Sequence, residues 1–451
     1  MISNRPLRIV ILDFVPETNR GDAALQVGMI NLINKYFDRS KISVVCAIGA
    51  NQTEKLIGEY DHSSKMPVVL TGGLKPTFFP LGKTSRSILL VELLNVLGFI
   101  TSLFPLVLSA LKMPPSLIKA ILPGEFRKSF SMIYDADLVI WNRRNFRSRK
   151  FRLLEIYRIL YTIYHPMLTI LLDKPMAHVG TSLWKLKSPL AKRALKVVLK
   201  HCFFISCREE SSHSEAIKLL PDVDKERLRL LPDLSFVVFD KLDEIIKHRR
   251  TFSKADLPVE IGITLVDWAS DGQDGRTIYK NAITESIKYF VRNGSQVTIV
   301  PQVTKKWENF MRILDEIYSD LSPDETKNVN LVEGEPTVNK LLEIYSQLDF
   351  LIATRLHSSI FALAVQTPVV AVAYDAGGKW GILDGMGYKD YIIPYSEITA
   401  SGLIDKVSTV WKNKDEILEV VHKRVAKNTR EVDLNVSLIA KYFETDFRDR
   451  D

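Results

Sequence analysis

Short apolar runs rich in Val, Ile and Leu alternate with longer stretches in which apolar residues recur every three or four positions, and this alternation persists along most of the chain. Runs at 8–15, 42–48, 67–71, 137–141, 176–180 and 203–206 have the length and composition of buried strands. Strands that lack an in–out alternation of polar residues are covered on both faces, so the pattern predicts a parallel sheet wound by helices. Beyond residue 258 the grammar is cleaner: strands at 259–266, 296–301, 329–332, 349–354 and 368–374 alternate with helices over about 277–292, 307–321, 337–348 and 358–366. That order predicts a second, Rossmann-like domain. The charged, proline-containing stretch 241–258 reads as a linker, dividing the chain into a first domain over 1–240, a second over 259–430 and a helical tail over 431–451. A terminal helix in such two-domain folds often returns to the first domain.

One segment breaks the pattern. Residues 88–111 carry a single charge, Glu92, and a single proline, Pro105, and are long enough to span a bilayer. The strands before and after them belong to one predicted sheet, which a single crossing would separate. The chain has 451 residues with 46% hydrophobic, 25% charged and a net charge of +8, a composition that excludes disorder and fibrous repeats. The charge is uneven: residues 65–208 hold 23 Lys and Arg against 6 Asp and Glu. A basic stretch that is also the most apolar asks for an anionic surface, so helices lying in the membrane interface are expected, flanked by Lys83, Arg86, Lys112, Lys119, Arg127 and Lys128. An apolar, basic helical insertion over about 80–175 of the first domain is the corresponding expectation, with a buried helical hairpin as its alternative. No basic stripe with interleaved exposed aromatics points to nucleic acid. Three cysteines without a clip spacing form no disulfide framework and fit a reducing cytoplasm; the apolar run near the N-terminus is broken by Asp13 and reads as a first strand.

In open parallel sheets the chemistry lies where strands hand over to helices. Four such places stand out. Asn19-Arg20-Gly21-Asp22 follows strand one; Gly21 permits a tight turn, and Asp22 either caps the next helix or faces the site. Arg355-Leu356-His357 closes an apolar strand, placing two cationic side chains at a helix start, where a phosphate or carboxylate is favoured. Arg208 follows the strand CFFIS and either reaches a ligand or pairs with Glu209 or Glu210. Tyr374-Asp375-Ala376-Gly377-Gly378-Lys379 ends the strand at 368–374, with Lys379 a compact charge suited to phosphate or a solvated loop lysine. No metal-ligand spacing is present.

Taken in order, the Asn-x-Gly-Asp segment at Asn19–Asp22, Arg208 in its Cys-Arg-Glu context, Leu231-Pro232-Asp233-Leu234-Ser235-Phe236, Arg355-Leu356-His357 and Tyr374-Asp375 with downstream Lys379 resemble the polysaccharide pyruvyl transferase family over most of the chain. The resemblance implies an α/β fold of two Rossmann-like domains in a glycosyltransferase-B-like arrangement. It implies transfer of pyruvate from phosphoenolpyruvate to two hydroxyls of a sugar, giving a cyclic ketal and phosphate without a cofactor. Arg208, Arg355 and His357 then correspond to donor-binding or catalytic positions, and Lys379 to the family's basic residue after Tyr-Asp. The chain departs from the pattern after the strand at 137–141: the family's glycine-rich loop is replaced by Asn142-Arg143-Arg144-Asn145-Phe146-Arg147.

Phosphoenolpyruvate carries a phosphate and a carboxylate, and Arg355, Arg208 and Lys379 supply matching charges. Histidine exchanges protons near neutral pH, which makes His357 the general-acid candidate for the donor methylene, with Asp22 holding or deprotonating an acceptor hydroxyl. The basic apolar stretch adds an expectation of its own: a polyprenyl-diphosphate-linked saccharide as acceptor, its diphosphate met by Arg143, Arg144 or Arg147, on a cytoplasmic protein at the inner face of the membrane during bacterial capsule or exopolysaccharide synthesis. Competing readings are a nucleotide-sugar glycosyltransferase of the same fold and a non-catalytic membrane-associated scaffold.

Overall fold

A computed structural model describes residues 6–14, 19–37, 41–46, 69–71, 103–142, 152–183, 188–239, 242–267, 272–303, 310–373 and 378–446. The chain forms two compact units: residues 1–16, 29–231 and 434–451 in the first, and residues 17–28 and 232–433 in the second.

The first unit is built on seven parallel strands: β1 (Arg8–Phe14), β2 (Lys41–Cys46), β3 (Val69–Thr71), β4 (Leu138–Trp141), β5 (Met176–Thr181), β6 (Cys202–Cys207) and β7 (Leu228–Leu230). They are ordered β3-β2-β1-β4-β5-β6-β7, so the winding direction reverses between β1 and β4. Ile9 to Leu12, Leu138 to Trp141 and Phe204 to Ile205 are all buried, as strands covered on both faces require.

The expected insertion over 80–175 is not confirmed by the part the structure describes. The 103–110 helix, Pro115–Ile121, Gly124–Tyr134 and Arg152–Leu171 do not form a separate body: Ile118, Leu122, Phe130, Ile133, Tyr164 and Leu168 share one core with strand residues Val10, Val139 and Ile205. Strand β4, which the sheet needs at its centre, also lies inside the same stretch. Residues 88–102 of the apolar run lie outside the described residues. Among the described residues no helix is long and apolar enough to cross a membrane.

The second unit has six parallel strands: β8 (Glu260–Thr264), β9 (Gln296–Ile299), β10 (Val329–Leu331), β11 (Phe350–Ala353), β12 (Val369–Ala373) and β13 (Ile392–Pro394), ordered β10-β9-β8-β11-β12-β13. Its reversal falls between β8 and β11, registered Ala353 against Thr264 at their carboxyl ends. Segment 241–258, expected to be a linker, lies inside this unit: Leu242–Lys247 is a helix, and Arg250 pairs with Glu260 at 3.3 Å, tying the segment to the first strand of the sheet. The crossing between units comes earlier, at Leu231–Pro232.

Two segments change unit relative to their sequence neighbours. Helix Arg20–Tyr36 follows β1, but its first residues belong to the second unit, where Gly28 sits so tightly that an added side-chain carbon would come within 2.4 Å of the Leu234 carbonyl oxygen. Helix Leu434–Asp446 returns to the first unit, with the Asn435 amide oxygen accepting from the Ser206 hydroxyl at 2.7 Å and Phe443 edge-on to Phe37.

Candidate active site

Strand β11 is four apolar residues, all buried, and it ends where Thr354 turns the chain. The Thr354 amide donates to the Thr264 hydroxyl at 3.0 Å and its own hydroxyl donates to the Thr264 carbonyl, so the carboxyl ends of β8 and β11 are stitched together at the winding reversal. Parallel sheets leave a crevice at this point. Arg355 follows, extended (φ −129°, ψ 130°) and 6% exposed, and serves as the cap residue of helix Leu356–Ala364. The Arg355 side chain makes no capping hydrogen bond to the first turn of that helix. Its N–H groups and the arginine therefore present positive charge at one end of a buried helix.

The helix starts at Leu356, two residues before the start expected from the sequence, so Arg355 and His357 are not successive positions of one extended strand. His357 is the second helical residue. Leu356 is buried with the apolar face of the helix, and its side chain is a packing element. The His357 ring is set by two neighbours. On one side it lies against Gly21, where an added side-chain carbon would come within 2.0 Å of Nδ1. On the other, Nε2 stands 3.8 Å from the carboxylate of Asp233, which is wholly buried. That separation is too long for a hydrogen bond, and His357 Nε2 makes none among the described residues.

Asn19, Gly21 and Asp22 reach this site because their segment belongs to the second unit. Asn19 forms a β-bridge with Val303, the Arg20 amide donates to the Gln302 carbonyl at 3.3 Å, and the Arg20 guanidinium pairs with Glu335 at 3.2 Å. The Asn19 side-chain oxygen accepts from the Gly21 amide at 3.1 Å, so Asn19 takes the capping role open to Asp22, which lies half-buried in the first turn. Asp233 owes its placement to its own turn: its carboxylate accepts from the Ser235 amide at 2.9 Å at the start of the 3₁₀ helix Leu234–Phe239. Sequence reasoning quoted Asp233 only as part of a motif and gave it no chemistry; the signal was the Pro-Asp step before an apolar pair.

Around Arg355 the second unit supplies buried phenols. Tyr279 is stacked on Tyr395 with ring centroids 4.8 Å apart, and burial pushes its hydroxyl up to about 12 against the opposing influence of the Arg355 charge. Tyr345 donates to the Gln302 side-chain oxygen at 3.0 Å and is also held neutral by burial. Lys379 lies in the 3₁₀ turn Gly378–Trp380 after β12 and is only 8% exposed, so it is not a solvated loop lysine. Tyr374 to Gly377 lie outside the described residues.

Arg208 belongs to the first unit, immediately after β6. Its pairing is with Glu209 at 3.5 Å, and the pair is buried rather than on the surface. Arg208 Nε donates to the Ser182 hydroxyl at 2.7 Å, Ser182 donates to Glu209 at 3.0 Å, and Ser212 donates to the other Glu209 oxygen while accepting from the Leu183 amide at 2.6 Å. Glu209 thus fixes the loops after β5 and β6 around one guanidinium. Burial raises the thiols of Cys202 and Cys207, which keeps both as inert core groups. Arg143, Arg144 and Arg147 lie outside the described residues.

A second buried polar group occupies the carboxyl ends of β1, β4 and β5. Asp13, at φ 63°, accepts from His165 Nδ1 at 2.8 Å and from the Trp141 indole at 3.0 Å. His178 stacks on Trp141 at 4.2 Å and donates from Nδ1 to the Trp141 carbonyl at 2.8 Å. The sequence reading took Asp13 only as an interruption of an apolar run.

Solved structures place the fold. The chain is similar to UDP-GlcNAc 2-epimerase from Neisseria meningitidis (TM-score 0.52, 13% identity, 96% of this chain and 100% of that chain covered). It is similar to the UDP-N-acetylglucosamine 2-epimerase from Rickettsia bellii (TM-score 0.56, 10% identity, 99% and 100% covered). A third likeness is to the Glycyrrhiza uralensis protein UGT73P12 (TM-score 0.54, 9% identity, 98% and 96% covered). These establish two Rossmann-like domains of the glycosyltransferase-B kind and nothing finer. No curated protein matches the chain. A family model described as polysaccharide pyruvyl transferase matches residues 19–376.

Proposed function

The chain belongs to the polysaccharide pyruvyl transferase family, and from that premise we propose that it moves pyruvate from phosphoenolpyruvate onto two hydroxyls of one sugar, releasing phosphate and forming a cyclic ketal. The observation that carries this reading is His357: a nearly buried imidazole, seated on Gly21, with Nε2 beside the carboxylate of Asp233 and two residues from Arg355.

The donor has two anionic ends, and in the second unit Arg355, Lys379 and the helix start at Leu356 are groups suited to hold them; the family resemblance adds Arg208 as a further candidate. His357 delivers a proton to the methylene carbon while a sugar hydroxyl bonds to the adjacent carbon and gives up its own proton, to which Asp22 is the candidate acceptor. Phosphate then leaves with its bonding pair, and the second hydroxyl closes the ketal on the resulting oxocarbenium centre while losing its proton to His357, which restores the acid. The Asp233 carboxylate stands 3.8 Å from Nε2, too far to take its proton in a hydrogen bond, which suits a group that must give that proton away.

The acceptor we propose is a polyprenyl-diphosphate-linked saccharide of a bacterial capsule or exopolysaccharide, met at the inner face of the cell membrane. The support is the excess of Lys and Arg over residues 65–208 and the three arginines at 143, 144 and 147. Phosphate release from phosphoenolpyruvate by the full chain in detergent, with lipid-linked saccharides and mass analysis of the acceptor, tests the reading. A pyruvate ketal that disappears in His357→Ala and Arg355→Ala supports it; nucleotide release from a nucleotide-sugar with no ketal overturns it.

A further inference from the structure

We propose that the outward faces of the 103–110 helix and helix Pro115–Ile121 form a docking surface that inserts shallowly into an anionic phospholipid leaflet. The inference rests on the membrane-side reading above but not on the transfer chemistry.

The two helices have an inward and an outward face. Leu103, Leu106, Leu108 and Met113 pack on the core of the first unit, and Ile118 and Leu122 lie inside it. The inward face therefore anchors the pair. A helix on a protein surface is expected to turn polar residues outward. Here the outward positions are apolar: Phe104 is 49% exposed, Val107 52%, Leu111 71%, Leu117 53% and Ile121 59%. Phe104, Val107 and Leu111 fall three and four residues apart, and Leu111 is still hydrogen-bonded to Val107 at 2.9 Å, so all three share one side. Leu117 and Ile121 are likewise four apart on the next helix. Large apolar side chains gathered on one exposed element mark a place where something else binds.

Charge identifies the occupant. Between residues 103 and 134 the sequence holds Lys112, Lys119, Arg127 and Lys128 against Glu125; Lys119 is paired with Asp135 at 3.1 Å, so the basic flank consists of the exposed Lys112, Arg127 and Lys128. Lys112 stands at the tip between the helices, exposed, where its amide bonds the Ser109 carbonyl at 3.0 Å and that of Met113 bonds Leu108 at 3.0 Å. Arg127 and Lys128 are also exposed. Apolar side chains flanked by lysine and arginine suit an interface of acyl chains under anionic headgroups; an apolar protein partner would not call for the basic flank.

The test is sedimentation of the full chain with vesicles of phosphatidylcholine alone or mixed with phosphatidylglycerol. Wild type should pellet with the anionic vesicles, and the double variant Leu111→Glu/Ile121→Glu should lose that binding about tenfold or more. Leu190→Glu, at an apolar residue 49% exposed on helix Pro189–His201, should bind as wild type. Circular dichroism and melting curves check that both variants fold. No pelleting of wild type, or equal pelleting of the double variant, overturns the proposal. So does a wild-type dimer that the double variant dissolves without any vesicle binding, which would give the face to a second copy. Pyruvyl transfer to a detergent-dispersed acceptor, measured on the same proteins, separates this outcome from failure of the enzymatic reading.

Discussion

Gly21 and His357 are fitted to one another: the imidazole lies where a side chain at position 21 would be, with Nδ1 2.0 Å, Cγ 2.4 Å and Cβ 2.8 Å from an added carbon. The glycine of the Asn19–Asp22 segment therefore makes room for a ring rather than for a turn. Gly21→Ala should push His357 off its position, lowering phosphate release about a hundredfold while costing about 1–3 kcal/mol of stability for overpacking. Stopped-assay rates beside urea midpoints check it. Undiminished turnover would mean that the ring can move without consequence.

Asp233 acts on the other edge of the same ring. Asp233→Asn keeps the shape and the acceptor for the Ser235 amide but removes the charge 3.8 Å from Nε2. We expect kcat to fall about tenfold with the KM for phosphoenolpyruvate nearly unchanged, because the charge serves proton delivery and not donor binding. A rise in KM without loss of kcat would place Asp233 with the binding groups instead.

Glu209 should have the opposite signature. It accepts from Ser182 and Ser212 and holds Arg208 from 3.5 Å, so it positions the guanidinium proposed to bind the donor. Glu209→Gln should raise the donor KM about tenfold with a smaller change in kcat. Glu209→Ala removes the buried carboxylate from beside that guanidinium and should cost about 3–5 kcal/mol besides. If Glu209→Gln binds donor as tightly as wild type, the carboxylate is structural only.

Much of this was legible before any coordinates. The central strands were found because burial on both faces writes continuous apolar runs, as in Ile9 to Leu12 and Phe350 to Ala353. The strands Leu228–Leu230 and Ile392–Pro394 were missed: each is three residues at a sheet edge, one interrupted by Arg229 and the other ending in proline. Arg355 and His357 were identified from their place at a strand end, but their register was misjudged, because Ser358 and Ser359 look like a helix start while the backbone already turns at Leu356. What no local pattern conveys is pairing over distance. That Gly21 faces His357, or that Asp13 binds His165 and Trp141, depends on which strand ends the topology brings together.

A neighbour of the last of these pairings, His178 against Trp141, makes stability depend on pH. His178 is fully buried and stacked on Trp141, and its Nδ1 faces a carbonyl oxygen, which only accepts; Nδ1 therefore carries the hydrogen of a neutral ring. Desolvation lowers its pKa from 6.5 to about 4, opposed by the Trp141 carbonyl and the charge of Asp13. The unfolded chain takes up this proton near pH 6.5 and the folded chain only near 4, so the unfolded state binds more protons in between and stability falls as pH drops through that window. At 1.36 kcal/mol per unit the loss by pH 5 is about 2 kcal/mol. His178→Asn keeps an amide donor for the Trp141 carbonyl but does not titrate. Denaturant midpoints at pH 7 and pH 5 should therefore fall further for wild type than for His178→Asn; equal falls would move the acid sensitivity elsewhere in the fold.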